Sequence, residues 1–483
     1  MHLGDLLPAD VRLPDSARAL EVRGVSADSR SVVPGTLFAA LAGTNTDGSR
    51  FVGEAVKRGA VAILAAEGAA IDAPVPVVRS ADPRHALAIV ASRLTPRQPE
   101  HLVAVTGTSG KTSVADFTRQ IFAAAGFTAA SIGTLGIVTP RGTEYGALTT
   151  PDPVAFHADL DRLAREGVTH AAVEASSQGL DQRRVDGLRI QAAAFTNLGR
   201  DHMDYHPTVE AYLAAKLRLF NDVLPADGSA VIAMDGDHAE EVLAAARARG
   251  QFLIRVGEAG EEIRLLSLVP HDFRQTIVVD AFGVRREIIL PLAGAFQASN
   301  ALVAAGLAVA AGIEPDVAFA ALARLTGAPG RLELVGRKAN GALAFIDYAH
   351  KPDAIVGALA ALRPMTKGRL MIVVGAGGNR DAGKRPLMGA AAADNADVVI
   401  VTDDNPRFEN AAAIRKAVMA AAPGALEIGD RREAIAHAVQ MLGPGDVLVV
   451  AGKGHETGQI VGEKTIPFSD RETVAAALAE EAA

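Results

Sequence analysis

Cysteine is absent from the 483 residues, which excludes disulfides and thiolate metal sites and fits a reducing compartment. Basic residues are the minority, 48 against 56 acidic, for a formal net charge of −8. There is no basic stripe and no basic run interleaved with aromatics, so nucleic acid is not an expected partner. An anionic substrate stays open, because locally placed arginines matter more than the sum. Long apolar runs are also missing. The longest, Ala301 to Ile313, falls short of the ~20 residues a membrane span needs, and Met1 to Asp10 carries two acids and no basic, apolar signal region. The expectation is a cytoplasmic protein that does not enter the membrane. What is present is ordinary globular material. With 49% hydrophobic and 22% charged residues the chain is not expected to be disordered, and its length exceeds what one core fills.

The chain is organised around Thr106-Gly107-Thr108-Ser109-Gly110-Lys111-Thr112-Ser113. An apolar run, Leu102 to Val105, leads in, and a helical pattern follows from Val114 to Phe122. Strand, glycine-bearing loop and helix start make a phosphate cradle. Backbone N–H groups and the helix N-terminus face the anion, Lys111 reaches the outer phosphates, and the Thr112 hydroxyl suits Mg²⁺. The strict P-loop pattern asks for glycine at 105, where this chain has Val105. A nucleoside triphosphate site of variant type is expected.

The chain reads as α/β in three domains. Residues 1–98 form a small α/β unit with apolar runs at Thr36–Leu41 and Val61–Leu64, ending in a proline-bearing linker at 95–100. Residues 99–328 form the central P-loop-type domain, a mostly parallel sheet with helices. Its strands include 171–173, 192–195 and 230–233, with antiparallel strands at one edge from Thr276 to Leu290 and a long alanine-rich helix from Phe296 to Ala311. Gly327-Ala328-Pro329-Gly330 marks the second boundary. Residues 329–483 carry buried-strand runs at 344–346, 370–374, 398–401 and 447–450, which predict a doubly wound, Rossmann-like sheet with its site at the strand C-termini.

The polar residues cluster where that rule puts them. Glu174 ends a strand beside the phosphate loop, the place for a second Mg²⁺ ligand, although a solvated loop acid fits equally. The run Asn197 to His206 packs two histidines and two aspartates into a six-residue stretch, which suits a metal or phosphate role. Lys216 falls inside the apolar stripe Val209, Tyr212, Leu213, Leu219, Phe220 of a helix over 208–220. Such a lysine either snorkels to water or is desolvated into a reactive amine, and spacing alone does not choose. In the last domain four strand ends are polar: Asp347-Tyr348-Ala349-His350, Gly375 to Asp381, Asp403-Asp404-Asn405-Pro406-Arg407, and Gly452-Lys453-Gly454-His455-Glu456. Arg380 and Arg407 suit a carboxylate, and Asp404 and Glu456 an ammonium, so an amino acid is the expected ligand.

Taken together these residues resemble the Mur ligase family along nearly the whole chain. The most specific parts are the 107–112 loop, the run from 201 to 206, Asp347-Tyr348-Ala349-His350 and Asp404-Asn405-Pro406-Arg407; the family loop also lacks the first P-loop glycine. The resemblance implies ATP-dependent amide formation through an acyl phosphate, joining meso-diaminopimelate to a UDP-N-acetylmuramoyl-dipeptide in a monomeric enzyme. It places ATP on Gly107, Thr108, Ser109, Gly110, Lys111, Thr112 and Ser113, with Asn300, Arg331 and Asp347. It gives Mg²⁺ to Thr112, Glu174, His202 and Lys216, the last as a carbamate, with Lys111, Glu174, His202 and Lys216 as the catalytic set. The UDP-sugar peptide falls to Ala27, Ser29, Thr149, Thr150, Ser176, Gln182 and Arg184. The diamino acid falls to Arg380, Asp404, Asn405, Pro406, Arg407, Gly452 and Glu456, with Arg407 as the mark of diaminopimelate over lysine. Gln178, Gly199, Lys351 and Thr457-Gly458 depart from the family pattern. An L-lysine-adding ligase of the same family and a folylpolyglutamate synthase-like ligase are the alternatives; the first domain and Thr149-Thr150-Pro151 argue against the latter. A regulatory module using ATP for conformation alone is disfavoured by the four polar strand ends.

Overall fold

The computed structural model describes residues 1–43, 46–146, 148–199, 201, 205–271 and 274–480. Its strands fall mainly into three sheets, one after another along the chain. The first has four parallel strands in sequential order, Gly24–Ser26, Thr36–Ala39, Ala60–Ala66 and Val77–Ser80. Every residue of Thr36–Ala39 is buried, because helices and loops cover both faces of a parallel sheet. Asp82 caps the helix Pro83–Leu94 by accepting from His85 N at 3.0 Å.

The second sheet has eleven strands. At its centre His101–Thr106 lies between His170–Glu174 and Ala192–Phe195, parallel to both. The chain leaves His101–Thr106 toward Ala129–Gly133 on one side and leaves the adjacent Ala192–Phe195 toward Ser229–Ala233 on the other. The direction so reverses between these two neighbours, the place where such a sheet opens a crevice at its strand C-termini. The antiparallel strands expected at one edge are there, Arg274–Ala281 and Val284–Leu290 beside Ile263–His271. The other edge is antiparallel as well, with Gly136–Thr139 and Gly142–Glu144. These strands are short and begin with glycine, so they carry little alternation to read. The phosphate-loop helix, Lys111–Ala124, packs on Ala295–Ala310, a helix apolar on nearly every side and buried accordingly.

The third sheet has six strands in the order Glu333–Arg337, Leu343–Asp347, Val447–Ala451, Leu370–Val374, Val398–Val401 and Leu426–Glu427. All pairs are parallel except the first. The last long strand, Val447–Ala451, inserts between Leu343–Asp347 and Leu370–Val374, so Asp347, Ala451, Val374 and Val401 all end on one edge. The two outermost strands, one bulged and one of two residues, had no apolar run to announce them. Among the described residues no helix is long and apolar enough to cross a membrane.

The units are pinned to one another. His85 Nδ1 lies 2.7 Å from Asp186 Oδ2, and Arg183 pairs with Asp82 at 2.7 Å. The expected linker is docked rather than loose: Gln98 donates to Gly187 O at 3.0 Å and accepts from Arg189 N at 3.0 Å.

Candidate active site

Thr106 ends the central strand, and four loop residues separate it from the helix that starts at Lys111. Gly107 and Gly110 have φ of 146° and 89°. A Cβ would sit 1.9 Å from Thr196 Oγ1 at position 107 and 2.4 Å from Asn300 Oδ1 at position 110, so side chains are excluded at both. Asn300 therefore abuts the loop. Side chains from the neighbouring strand end hold the loop's shape. Ser109 N donates to Asn197 Oδ1 at 3.0 Å, and Thr196 Oγ1 donates to Ser109 O at 2.6 Å. Thr108 Oγ1 accepts from Gly199 N at 2.9 Å and lies 3.0 Å from Tyr212 OH.

Two lysines meet at Gly107. Lys111 Nζ donates to Gly107 O at 2.7 Å and Thr108 O at 3.1 Å, and burial pushes its ammonium down to about 8. Lys216 Nζ donates to Gly107 O at 2.9 Å and lies 4.3 Å from the centre of the Tyr212 ring. It is 1% exposed, so it does not snorkel; burial first, then the Lys111 and Lys351 charges, hold it far below the ordinary lysine value. Its helix, Val209–Arg218, is capped by Thr208 and gives way to a π turn at Leu219–Val223. Val209, expected in the buried stripe, is exposed in the first turn, while Tyr212, Leu219 and Phe220 are buried.

Glu174 is 2% exposed, which removes the solvated-acid alternative. Its Oε1 accepts from Thr134 N at 2.7 Å, and its Oε2 accepts from the Thr112 and Thr134 hydroxyls at 3.1 Å each. Arg331 reaches in from the third unit and donates to Thr112 Oγ1 at 3.2 Å, its guanidinium over the Tyr348 ring. Asp347 accepts from Leu332 N at 2.6 Å and Ala349 N at 2.7 Å; burial raises its carboxyl to about 6, with Arg331 opposing. Lys351 forms an ion pair with Asp201, a second tie across the same cleft. Ser113 is buried in the first turn of the loop helix. His202 lies outside the described residues.

A polar chain runs from Glu174 toward the first unit. Thr149 and Thr134 hydroxyls are 3.1 Å apart, and Thr150 donates to Glu174 O at 2.8 Å and Ser176 Oγ at 3.1 Å. Arg184 donates to Thr150 O at 2.9 Å and Gln182 Oε1 at 2.8 Å. Five of the seven residues expected on the UDP-sugar peptide are thus one connected cluster. Ala27 and Ser29 stand apart in the first unit, where buried Ser29 donates to Glu54 Oε2 at 3.1 Å.

The third group gathers at the sheet edge. Asp404, Asn405 and Pro406 are buried, and Asn405 Nδ2 donates to Glu456 Oε2 at 3.0 Å. Gly452 has φ 118°, and a Cβ there would lie 2.5 Å from Asp404 Oδ2. Arg407 also has positive φ, 52°, and donates to Gly378 O at 2.9 Å. Its guanidinium and the exposed Arg380 both flank Gly377, and their repulsion adds to burial in lowering Arg407. Two arginines and two carboxylates are so gathered at one sheet edge, a charge pattern complementary to a zwitterion.

Several residues in these clusters had no expected role: Thr134, Tyr212 as a hydroxyl, Asn197, Lys351 and Lys453. Asn197 and Lys453 lie in polar strand ends, a signal that gave them a place but not a partner. Thr134 had no signal. Of the oxygen-rich set proposed for Mg²⁺, Thr112 and Glu174 are in contact, and hard oxygen donors beside a phosphate loop fit that ion.

Three family models match in order along the chain: "Mur ligase family, catalytic domain" over residues 21–101, "Mur ligase middle domain" over 105–308, and "Mur ligase, glutamate ligase domain" over 330–454. A protein of Bradyrhizobium diazoefficiens named UDP-N-acetylmuramoyl-L-alanyl-D-glutamate–2,6-diaminopimelate ligase is 57% identical over 487 aligned residues, covering 100% of both chains. A protein of the same name from Brucella melitensis is 58% identical, covering 99% of this chain and 98% of its own. A solved structure under that name superposes with a TM-score of 0.73 at 30% identity, over 100% of this chain and 99% of the other. A folylpolyglutamate synthase of Mycobacterium tuberculosis complexed with ADP shares the fold at 21% identity and TM-score 0.63, over 76% of this chain and 91% of its own. The chain belongs to the Mur ligase family of ATP-dependent amide-forming ligases.

Proposed function

We propose that this ligase joins meso-diaminopimelate to UDP-N-acetylmuramoyl-L-alanyl-D-glutamate, in the cytoplasm and as a monomer, at the expense of ATP, to build a peptidoglycan precursor. The observation that carries the amino-acid specificity is the gathering of Arg380, Arg407, Asp404 and Glu456 at one sheet edge. Full-length relatives of the same name support the reaction. Residues 1–98 serve the uridine end, 99–328 the ATP and 329–483 the diamino acid.

The D-glutamyl carboxylate is a poor electrophile, so its oxygen first takes the γ-phosphoryl group, giving an acyl phosphate and ADP. The free amine of diaminopimelate then attacks the acyl carbon, and phosphate leaves with the C–O bond electrons. Loop amides and Lys111 face the phosphates; Arg184 and the Thr149-Thr150-Ser176 cluster orient the acceptor peptide; Asn300, Arg331 and Asp347 hold the nucleotide. Thr112, Glu174, His202 and Lys216 as a carbamate would hold Mg²⁺, which when bound offsets the repulsion between two anions brought together. Carbamylation needs an unprotonated amine to attack CO₂ with loss of one proton, and the depressed Lys216 supplies it. Closure between the second and third units excludes water from the acyl phosphate.

The test is steady-state ligation with meso-diaminopimelate against L-lysine. These differ by one distal carboxylate, and a charged hydrogen-bond pair is worth about 1.5–3 kcal/mol, or roughly 10- to 150-fold. Wild type should prefer diaminopimelate by at least that range, and Arg407→Ala should raise its KM strongly and narrow the preference. Equal use of lysine by wild type would refute the assignment.

A further inference from the structure

Beneath the charged cluster at the sheet edge lies a cation that the proposed reaction does not use. Lys453 is 0% exposed. Its Nζ donates to Asn405 Oδ1 at 2.7 Å and to Gly458 O at 2.8 Å, and lies 3.7 Å from both Asp404 Oδ1 and Glu456 Oε2. Asn405 Oδ1 also accepts from Ile460 N at 2.9 Å, while its Nδ2 donates to Glu456 Oε2 at 3.0 Å. Two donors on one end of the carboxamide and a carboxylate at the other leave it a single satisfied orientation. A flip would set its NH₂ against an ammonium and a backbone N–H. Burying an ammonium is costly, and an apolar side chain of similar volume would fill the space without that cost, so packing does not explain the residue.

We infer that Lys453 is a positioning residue for the incoming diamino acid, locking the Asn405 carboxamide and holding Asp404 and Glu456 apart as two carboxylates aimed at one ammonium. The charge count agrees. Among Asp404, Glu456 and Lys453 one negative charge is left over for the ligand's cationic centre; the nearby Arg431 is paired with Asp470, and Arg407 is assigned to a ligand carboxylate. Burial and the Asp404 charge already raise the Glu456 carboxyl, and the Asn405 hydrogen bond, Lys453 and Arg407 oppose them. Without Lys453 the repulsion between Asp404 and Glu456 loses one of the charges that offset it and Asn405 loses its fixed orientation, so both carboxylates are held less well for the ligand's ammonium. The inference rests on the reaction proposed above.

A double-mutant cycle tests it, with ligation measured for wild type, Lys453→Met, Asn405→Ala and the double variant while each substrate is varied in turn. Lys453→Met should raise the KM for diaminopimelate roughly 10- to 100-fold, with the KM values for ATP and the nucleotide dipeptide moving less than about twofold. The double variant should be about as impaired as the worse single one, because both substitutions break the same unit. If Lys453→Met does not fold, Lys453→Gln, which keeps a donor toward Asn405 but no charge, is measured in its place with the same expectations. Fold-losses that multiply, or three KM values that rise together, would overturn the inference. A wild-type protein that does not ligate diaminopimelate overturns the proposed reaction and this inference with it. One that does, beside a Lys453 variant of unchanged KM, overturns the inference alone.

Discussion

Lys216 shows what a single side chain's surroundings decide. Its position in an apolar stripe is compatible with an ammonium at the surface or an amine in the interior. At 1% exposure, with Nζ 2.9 Å from Gly107 O, the interior holds it. Desolvation together with two lysine charges favours the neutral form, the form that reacts with CO₂. Lys216→Ala should therefore lower the ligation rate by roughly 10²–10³-fold, the usual loss when a preorganised electrostatic group is removed. ATP affinity, measured by calorimetry, should stay within a few-fold, because the loop amides and Lys111 are untouched. A variant that ligates at a near-normal rate would leave Lys216 a structural residue.

At the scale of elements, the site depends on how strand ends are held. Arg431 opens the helix Arg431–Gln440, an electrostatically poor place for a cation, and Asp470 opens the final helix, Asp470–Glu480. The two form a bidentate pair at 2.7 Å with both side chains 0% exposed, and Arg431 also donates to Ala451 O at 2.9 Å, one residue before Gly452. Asp470→Ala leaves a buried guanidinium uncompensated and should cost about 3–5 kcal/mol in denaturant unfolding of the intact chain. Since the pair anchors the strand end beside Asp404, the KM for diaminopimelate should rise as well. A loss under about 1 kcal/mol would show that the pair is not stabilising its surroundings in this way.

Across the whole molecule, the nucleotide cleft is closed by residues far apart in sequence. Arg331 reaches Thr112 across 219 positions, and Lys351 pairs with Asp201. Lys351, one of the departures from the family pattern, supplies a cation between two units here. Arg331→Met should raise the KM for ATP about tenfold or more, the worth of one charged hydrogen bond, with the KM for the nucleotide dipeptide nearly unchanged. An unchanged KM for ATP would place Arg331 outside the nucleotide site.

The phosphate loop, the parallel core strands and the four polar strand ends were legible along the chain because each depends on a few neighbouring residues. Gly107 and Gly110 need positive φ, buried strands need continuous apolar runs, and α/β sheets carry their ligands at strand C-termini. The same local patterns said little about the short edge strands, where Gly142–Glu144 has three exposed residues and no alternation. They were silent on partners. Thr134 holds Glu174 from 40 positions away, and Lys453 orders Asn405 from 48. Whether Lys216 is a cation or an amine, and which way Asn405 points, depends on desolvation and on donors contributed by distant strands. Those quantities exist only once the chain has folded.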